Sequence, residues 1–165
     1  MKKKIAVLIV VLVVFISISV PILRDTNLSA LYEVQAALEN NYGRVEIVVE
    51  EKRLLKGNRY CLTFQNILDR HENTMVTVYV YKNEAAAQKD AATITPDGFG
   101  IERKGLPGMA ASIQISWVEA PHFFLYKNCI VQYVGTDFEL LQTLRNLCGN
   151  QIAGRPLVYD GLICE

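Results

Sequence analysis

Apolar and polar positions along this chain change period several times, and each change marks an element. Leu31, Val34, Ala37 and Leu38 recur at helical spacing behind Ser29, which predicts a helix from Ala30 to about Asn41, capped by Ser29 and ended by Asn41-Tyr42-Gly43. The period then drops to two. Val45, Ile47 and Val49 alternate with Glu46, Val48 and Glu50, and beyond the turn Lys56-Gly57-Asn58 the residues Tyr60, Leu62 and Phe64 alternate with Cys61, Thr63 and Gln65. Met75 to Tyr81 is the strongest strand. Val76, Val78 and Val80 face one way and Thr77, Tyr79 and Tyr81 the other, so both faces of this strand are expected to be covered at least in part.

Asn83 caps a second helix, from Glu84 to about Thr93, and Thr95-Pro-Asp-Gly98 is a turn. The glycines at 98, 100, 105 and 108 predict a loop to about Met109. A strand through Ile113, Ile115 and Trp117 follows, is interrupted at Pro121 and continues from Phe123 to Tyr126. Lys127-Asn128 turns the chain into a strand from Cys129 to Val134. Thr136 or Asp137 caps a last helix with Leu140, Leu141, Leu144 and Leu147 on its buried stripe, stopped by Gly149. The expected order is α-β-β-β-α-β-β-α, which suits an α+β domain: an antiparallel sheet with helices on one face, in two layers.

Ahead of this domain, Ile5 to Leu23 carry no charge and follow Lys2, Lys3 and Lys4. As a helix these nineteen residues measure about 28 Å, close to the roughly 30 Å of a bilayer's hydrocarbon core. The expectation is an N-terminal transmembrane helix whose lysines stay inside, so that the rest is exported. The alternative is a cleaved signal with its exit near Ser17-Ile18-Ser19 and a secreted domain. The division is then 1–24 for the cytoplasmic lysines and anchor, 25–29 for a linker and 30–165 for the extracytoplasmic domain.

Without the three lysines the exported part holds 14 basic and 17 acidic residues, a net of −3, with signs mixed along the chain. That composition gives no basic face, so a nucleic-acid partner is not expected. Cys61, Cys129, Cys148 and Cys164 would sit in an oxidising compartment. Four cysteines allow three pairings; Cys148–Cys164 would tie down the tail, Cys61 and Cys129 lie in predicted strands, and free buried thiols are the alternative.

Few residues point to chemistry. His71 sits in a polar loop and reads as a surface residue. His122 lies in Trp117-Val-Glu-Ala-Pro-His-Phe-Phe124, where an indole, a carboxylate and an imidazole fall within six residues. Glu119 and His122 form a candidate acid–base pair, against which stands the use of proline and aromatics to guard and pack an edge strand. Cys129 with His122 is a poor Cys–His pair, because the hairpin leaves His122 three residues further down and nearer Tyr133. No metal-binding spacing, phosphate loop or hydrolase elbow is present, and no cofactor is expected.

Val78-Tyr-Val-Tyr81, Glu84-Ala-Ala-Ala87, Asp90-Ala-Ala-Thr-Ile-Thr-Pro-Asp-Gly98, Trp117-Val118, Pro121-His-Phe123, Ile130-Val-Gln-Tyr-Val-Gly135 and Ile152-Ala-Gly154 together resemble an uncharacterised family of small exported bacterial proteins, often lipid-anchored. The resemblance covers roughly residues 31–154. It implies an extracytoplasmic domain and carries no activity, cofactor or catalytic residue. This chain departs from the family in having no lipid-acceptor cysteine after the apolar run.

The functional expectation is a membrane-anchored extracytoplasmic domain that binds a protein or small molecule rather than catalyses. Its binding residues would be Trp117, His122, Tyr79 and Tyr81, because tyrosine and tryptophan offer broad apolar area with a polar tip. A cell-surface hydrolase using His122 with Glu119 or Cys129 is the alternative.

Overall fold

The computed structural model describes residues 27–65, 73–104, 110–156, 158–159 and 162–163. Helix α1 (Ser29–Tyr42) is followed by strands β1 (Glu46–Glu50), β2 (Asn58–Gln65) and β3 (Asn73–Val80), helix α2 (Glu84–Ala91) and strands β4 (Gly100–Lys104), β5 (Ala110–Gln114), β6 (Pro121–Tyr126) and β7 (Cys129–Val134). Helix α3 (Phe138–Cys148) and strands β8 (Gln151–Gly154), β9 (Val158–Tyr159) and β10 (Leu162–Ile163) complete the order. Six strands form one antiparallel sheet, β1-β2-β3-β7-β6-β8; β4–β5 and β9–β10 are separate two-stranded ladders.

Local sequence accounts for most boundaries. Asn83 and Asp137 accept from the backbone N–H groups of Ala86 and Leu140 and so cap α2 and α3. Gly43 and Gly149 end α1 and α3 at positive φ, each returning its N–H to the preceding turn. The Lys127-Asn128 turn joins β6 to β7 with Tyr126 opposite Cys129, as the pattern predicts. Helix α1 differs in its start. It begins at Ser29 itself, with Leu28 at the cap, and Asn27 Oδ1 takes the Ser29 N–H at 3.0 Å.

The sheet is covered on both faces. On the first, Leu31, Val34 and Leu38 of α1 and Leu140, Leu141 and Leu144 of α3 pack against Leu62, Val76, Val78, Phe124 and Val131. On the second, Ala87 of α2, Ile94, Ile101 of β4 and Leu55 pack against Tyr79, Tyr81, Phe123 and Ile130. The expected two-layer arrangement with helices on one face is therefore corrected to three layers, since α2 lies opposite α1 and α3. The physical reason sits in β3 and β7: Val78 pairs with Val131 and Tyr79 with Ile130, so both faces of the central strand pair are apolar and both need cover.

Three further expectations change. The glycine-punctuated loop contains β4, paired in register with β5 from Gly100↔Gln114 to Lys104↔Ala110. The strand drawn through Trp117 stops at Gln114. No helix among the described residues is long and apolar enough to cross a membrane, so the transmembrane helix of the expected architecture is not supported; residues 5–23, on which it fell, lie outside the described residues.

The core makes a direct stability prediction. Phe124→Ala, at a fully buried ring under α1 and α3, lowers unfolding free energy by about 3–5 kcal/mol in urea melts, whereas Val118→Ala, at a 97% exposed side chain, stays within about 0.5 kcal/mol.

Candidate functional site

The second cover is shorter than the sheet. Among the described residues, α2 and β4 pack on the half that carries Tyr81, Tyr79, Ile130 and Phe123, and the other half of that face borders a cleft. Strand alternation and register place Arg59 and Cys61 of β2, Met75, Thr77 and Tyr79 of β3, and Gln132 and Val134 of β7 on this face. The open half is the floor of a cleft of about 840 Å³, walled by Leu54 and by Ile115, Trp117, Val118 and Glu119, and closed at one end by Thr136 and Asp137.

Its floor is polar where a sheet interior is ordinarily apolar. Thr77 and Gln132 are opposite each other in register and both buried. The Tyr79 hydroxyl donates to Gln132 Oε1 at 3.1 Å, and the Thr77 hydroxyl lies 3.9 Å from Cys61 Sγ. Burial pushes the Tyr79 phenol up to about 12, against a smaller opposing effect of the nearby Arg59 charge, so it remains a neutral hydroxyl.

The wall is held by a turn. Thr95-Pro-Asp-Gly98 closes with the Gly98 N–H on Thr95 O at 2.8 Å, and Asp97 accepts from Phe99 N–H and the Thr95 hydroxyl, which hold its carboxyl below the ordinary range. Gly98 has φ +75°, and a Cβ there would meet the Gly154 backbone at 3.0 Å and the Pro121 and Phe123 rings at 3.1 and 3.2 Å. Its carbonyl accepts the Trp117 indole N–H at 2.9 Å. The Trp117 ring also stands edge-on to Phe123, at 6.3 Å between centroids. The indole is thus fixed at its polar edge while its body lines the cleft.

Of the four expected binding residues, Trp117 and Tyr79 meet in this cleft, and Tyr81 and His122 do not. Tyr81 lies under α2, where its hydroxyl donates to the buried Asp90 carboxylate at 2.7 Å. His122 points to the first face beside Tyr133, its ring stacked at 6.3 Å. Nδ1 lies 2.8 Å from Gln151 Oε1 and Nε2 3.1 Å from Gly135 O, so both ring nitrogens are occupied within the fold. Burial holds the His122 pKa below its ordinary 6.5, opposed by these two hydrogen bonds.

Neither partner of the alternative catalytic pair reaches His122. Glu119 is exposed and belongs to the cleft rim on the other face. Cys129 pairs with Tyr126 while His122 pairs with Tyr133, which separates them by four residues along β7, about 13 Å. Burial pushes the Cys129 and Cys148 thiols up to about 12, the opposite of an activated nucleophile.

The expected disulfides are corrected. Cys61, Cys129 and Cys148 are free thiols, and Cys164 lies outside the described residues, as does His71. Cys61 and Cys129 stand on opposite faces of the sheet with β3 between their strands, a placement no disulfide spans. No group of three or more His, Cys, Asp or Glu among the described residues could hold a metal ion.

Sequence reading passed over Arg59, Thr77 and Gln132 as site residues. Their signal was present: a single polar side chain inside Val76-Thr-Val78 and another inside Ile130-Val-Gln-Tyr133, on strands otherwise built for burial. Among known proteins, no family model, curated protein or solved structure matches this chain.

Two predictions follow from the turn and from His122. Gly98→Ala costs about 1–3 kcal/mol in thermal or urea melts and shifts Trp117 emission to the red, because the strained turn releases the indole from its carbonyl. Because the folded pKa of His122 is depressed, the unfolded chain binds the extra proton first; stability is full above about 6.5 and falls as pH drops below it. Unfolding titrations across that window lose this part of their slope in His122→Gln.

Proposed function

We propose that this chain is a non-catalytic binding module whose site is the cleft over β2, β3 and β7, and that it works outside the cytoplasm. Export is supported by the uncharged run behind Lys2, Lys3 and Lys4. The binding reading is carried by one observation: buried polar groups, Thr77, Gln132 and the Tyr79 hydroxyl, line the floor of an open cleft beside a fixed indole. Apolar side chains at these positions would serve the sheet better, and a few placed polar groups beside aromatic surface are what a ligand site requires. The hydrolase alternative is disfavoured by the occupied nitrogens of His122 and by its distance from Cys129.

Trp117 is the one tryptophan in the chain, so its emission reports on the cleft directly. A library of organic acids, amines, sugars and short peptides is screened by Trp117 emission on the full-length chain. At least one class gives a saturable shift, and the double variant Tyr79→Phe/Gln132→Leu loses it. That variant removes both partners of one buried hydrogen bond, so it stays within about 1 kcal/mol of the parent or exceeds it in stability. A library with no saturable response contradicts the binding reading, as does a response that survives the double variant.

A further inference from the structure

We infer that the cleft takes a monocarboxylate with an apolar body, its acid group paired with Arg59 and its body laid along Trp117. This rests on the binding reading above and adds the chemistry of the ligand.

The uncommitted polar groups of the floor are donors. Gln132 Oε1 already accepts from Tyr79, which leaves the amide nitrogen, without an acceptor among the described residues, for a ligand. Among the described residues the Thr77 hydroxyl is paired with the thiol of Cys61 alone, a weak partner at 3.9 Å. Arg59 lies opposite Tyr79 in register and lines the same cleft. Its Nη1 donates to Lys52 O at 3.0 Å and forms a long ion pair with Glu50 Oε2 at 3.7 Å. Its Nε is buried without a hydrogen-bond partner among the described residues. A buried guanidinium N–H left unpaired is costly, and the part of the side chain that remains accessible lines the cleft, where its charge faces a ligand.

The wall supplies what the floor does not. Trp117 has committed its only donor to Gly98 O and presents apolar ring surface to the cleft, with Ile115 and Leu54 beside it. An anionic acceptor over the donors and an apolar body against the indole satisfy both parts together.

Charge fixes the direction and the number of acid groups. Arg59 stands at the Tyr79 end of the floor, and its ion-pair partner Glu50 is not among the residues that line the cleft. Glu119 and Asp137 stand at the Met75–Val134 end, about 13 Å away along β3. Two carboxylates at the far end disfavour a second acid on the ligand, so a monocarboxylate fits and a dicarboxylate does not.

The test titrates the full-length chain with 3-phenylpropionate, 3-phenylpropionamide and 3-phenylpropylamine, read by Trp117 emission. The acid gives a saturable shift, and the amide and amine bind about tenfold more weakly or worse, as expected for one charge-assisted pair. Arg59→Gln removes the preference for acid over amide, and Arg59→Lys keeps part of it. Equal binding of acid and amide, or a preference that persists in Arg59→Gln, overturns the inference while leaving the cleft as a binding site. Tighter binding of the amine does the same. No response to any of the three also overturns it, and the wider library then decides the binding reading by itself. The acid–amide comparison on the parent chain needs no variant, so a misfolded Arg59→Gln does not blunt the test.

Discussion

The central strand pair carries apolar side chains on both faces, and that constraint shapes everything around it. Val78 and Val131 need one cover, Tyr79 and Ile130 another. A helical layer of α1 and α3 meets the first need along much of the sheet. The second is met by a patch of short pieces: one eight-residue helix, a five-residue strand ladder and the turn that fixes Trp117. Short pieces protect a short stretch. Where they end, Thr77 and Gln132 occupy the paired positions next to Tyr79 and Ile130 on the same face.

This juxtaposition links stability to the proposed binding role. Burying Thr77 and Gln132 in a strand interior contributes little to folding, since each polar group must be desolvated and then satisfied. The Tyr79 hydroxyl satisfies the side-chain oxygen of Gln132, and the amide nitrogen has no acceptor among the described residues. The same bond holds Tyr79 in place beside Arg59, and burial keeps its phenol neutral. The floor is thus ordered by the fold itself, and under the binding role proposed above a preorganised polar floor loses less freedom than a mobile one.

Much of this was legible in the residues. Alternation over Met75–Tyr81, the caps Asn83 and Asp137 and the Lys127-Asn128 turn are local signals, and local signals gave local structure. The second layer was not legible, because β4 is five residues long, follows a glycine-rich turn and is defined by its partner β5 rather than by its own pattern. The grouping of His122 with Trp117 failed for a related reason. Strand parity predicts a shared face only while the strand continues, and residues 115–120 lie in no strand, so the face of His122 does not follow from that of Trp117. The cysteines in strands illustrate the same limit, since neither spacing nor strand assignment says which face a residue takes or which strand intervenes.

Thiol reactivity on one face of the sheet tests this account most directly. Met75→Cys and Ile130→Cys place a thiol on the second face, one at the open half and one beneath α2 and β4. Against the parent chain's background, the Met75 variant is expected to react with a small maleimide in the native state at close to its unfolded rate, and the Ile130 variant only after unfolding. Equal protection at both positions would mean that the second cover runs the full length of the sheet, and the cleft would not exist.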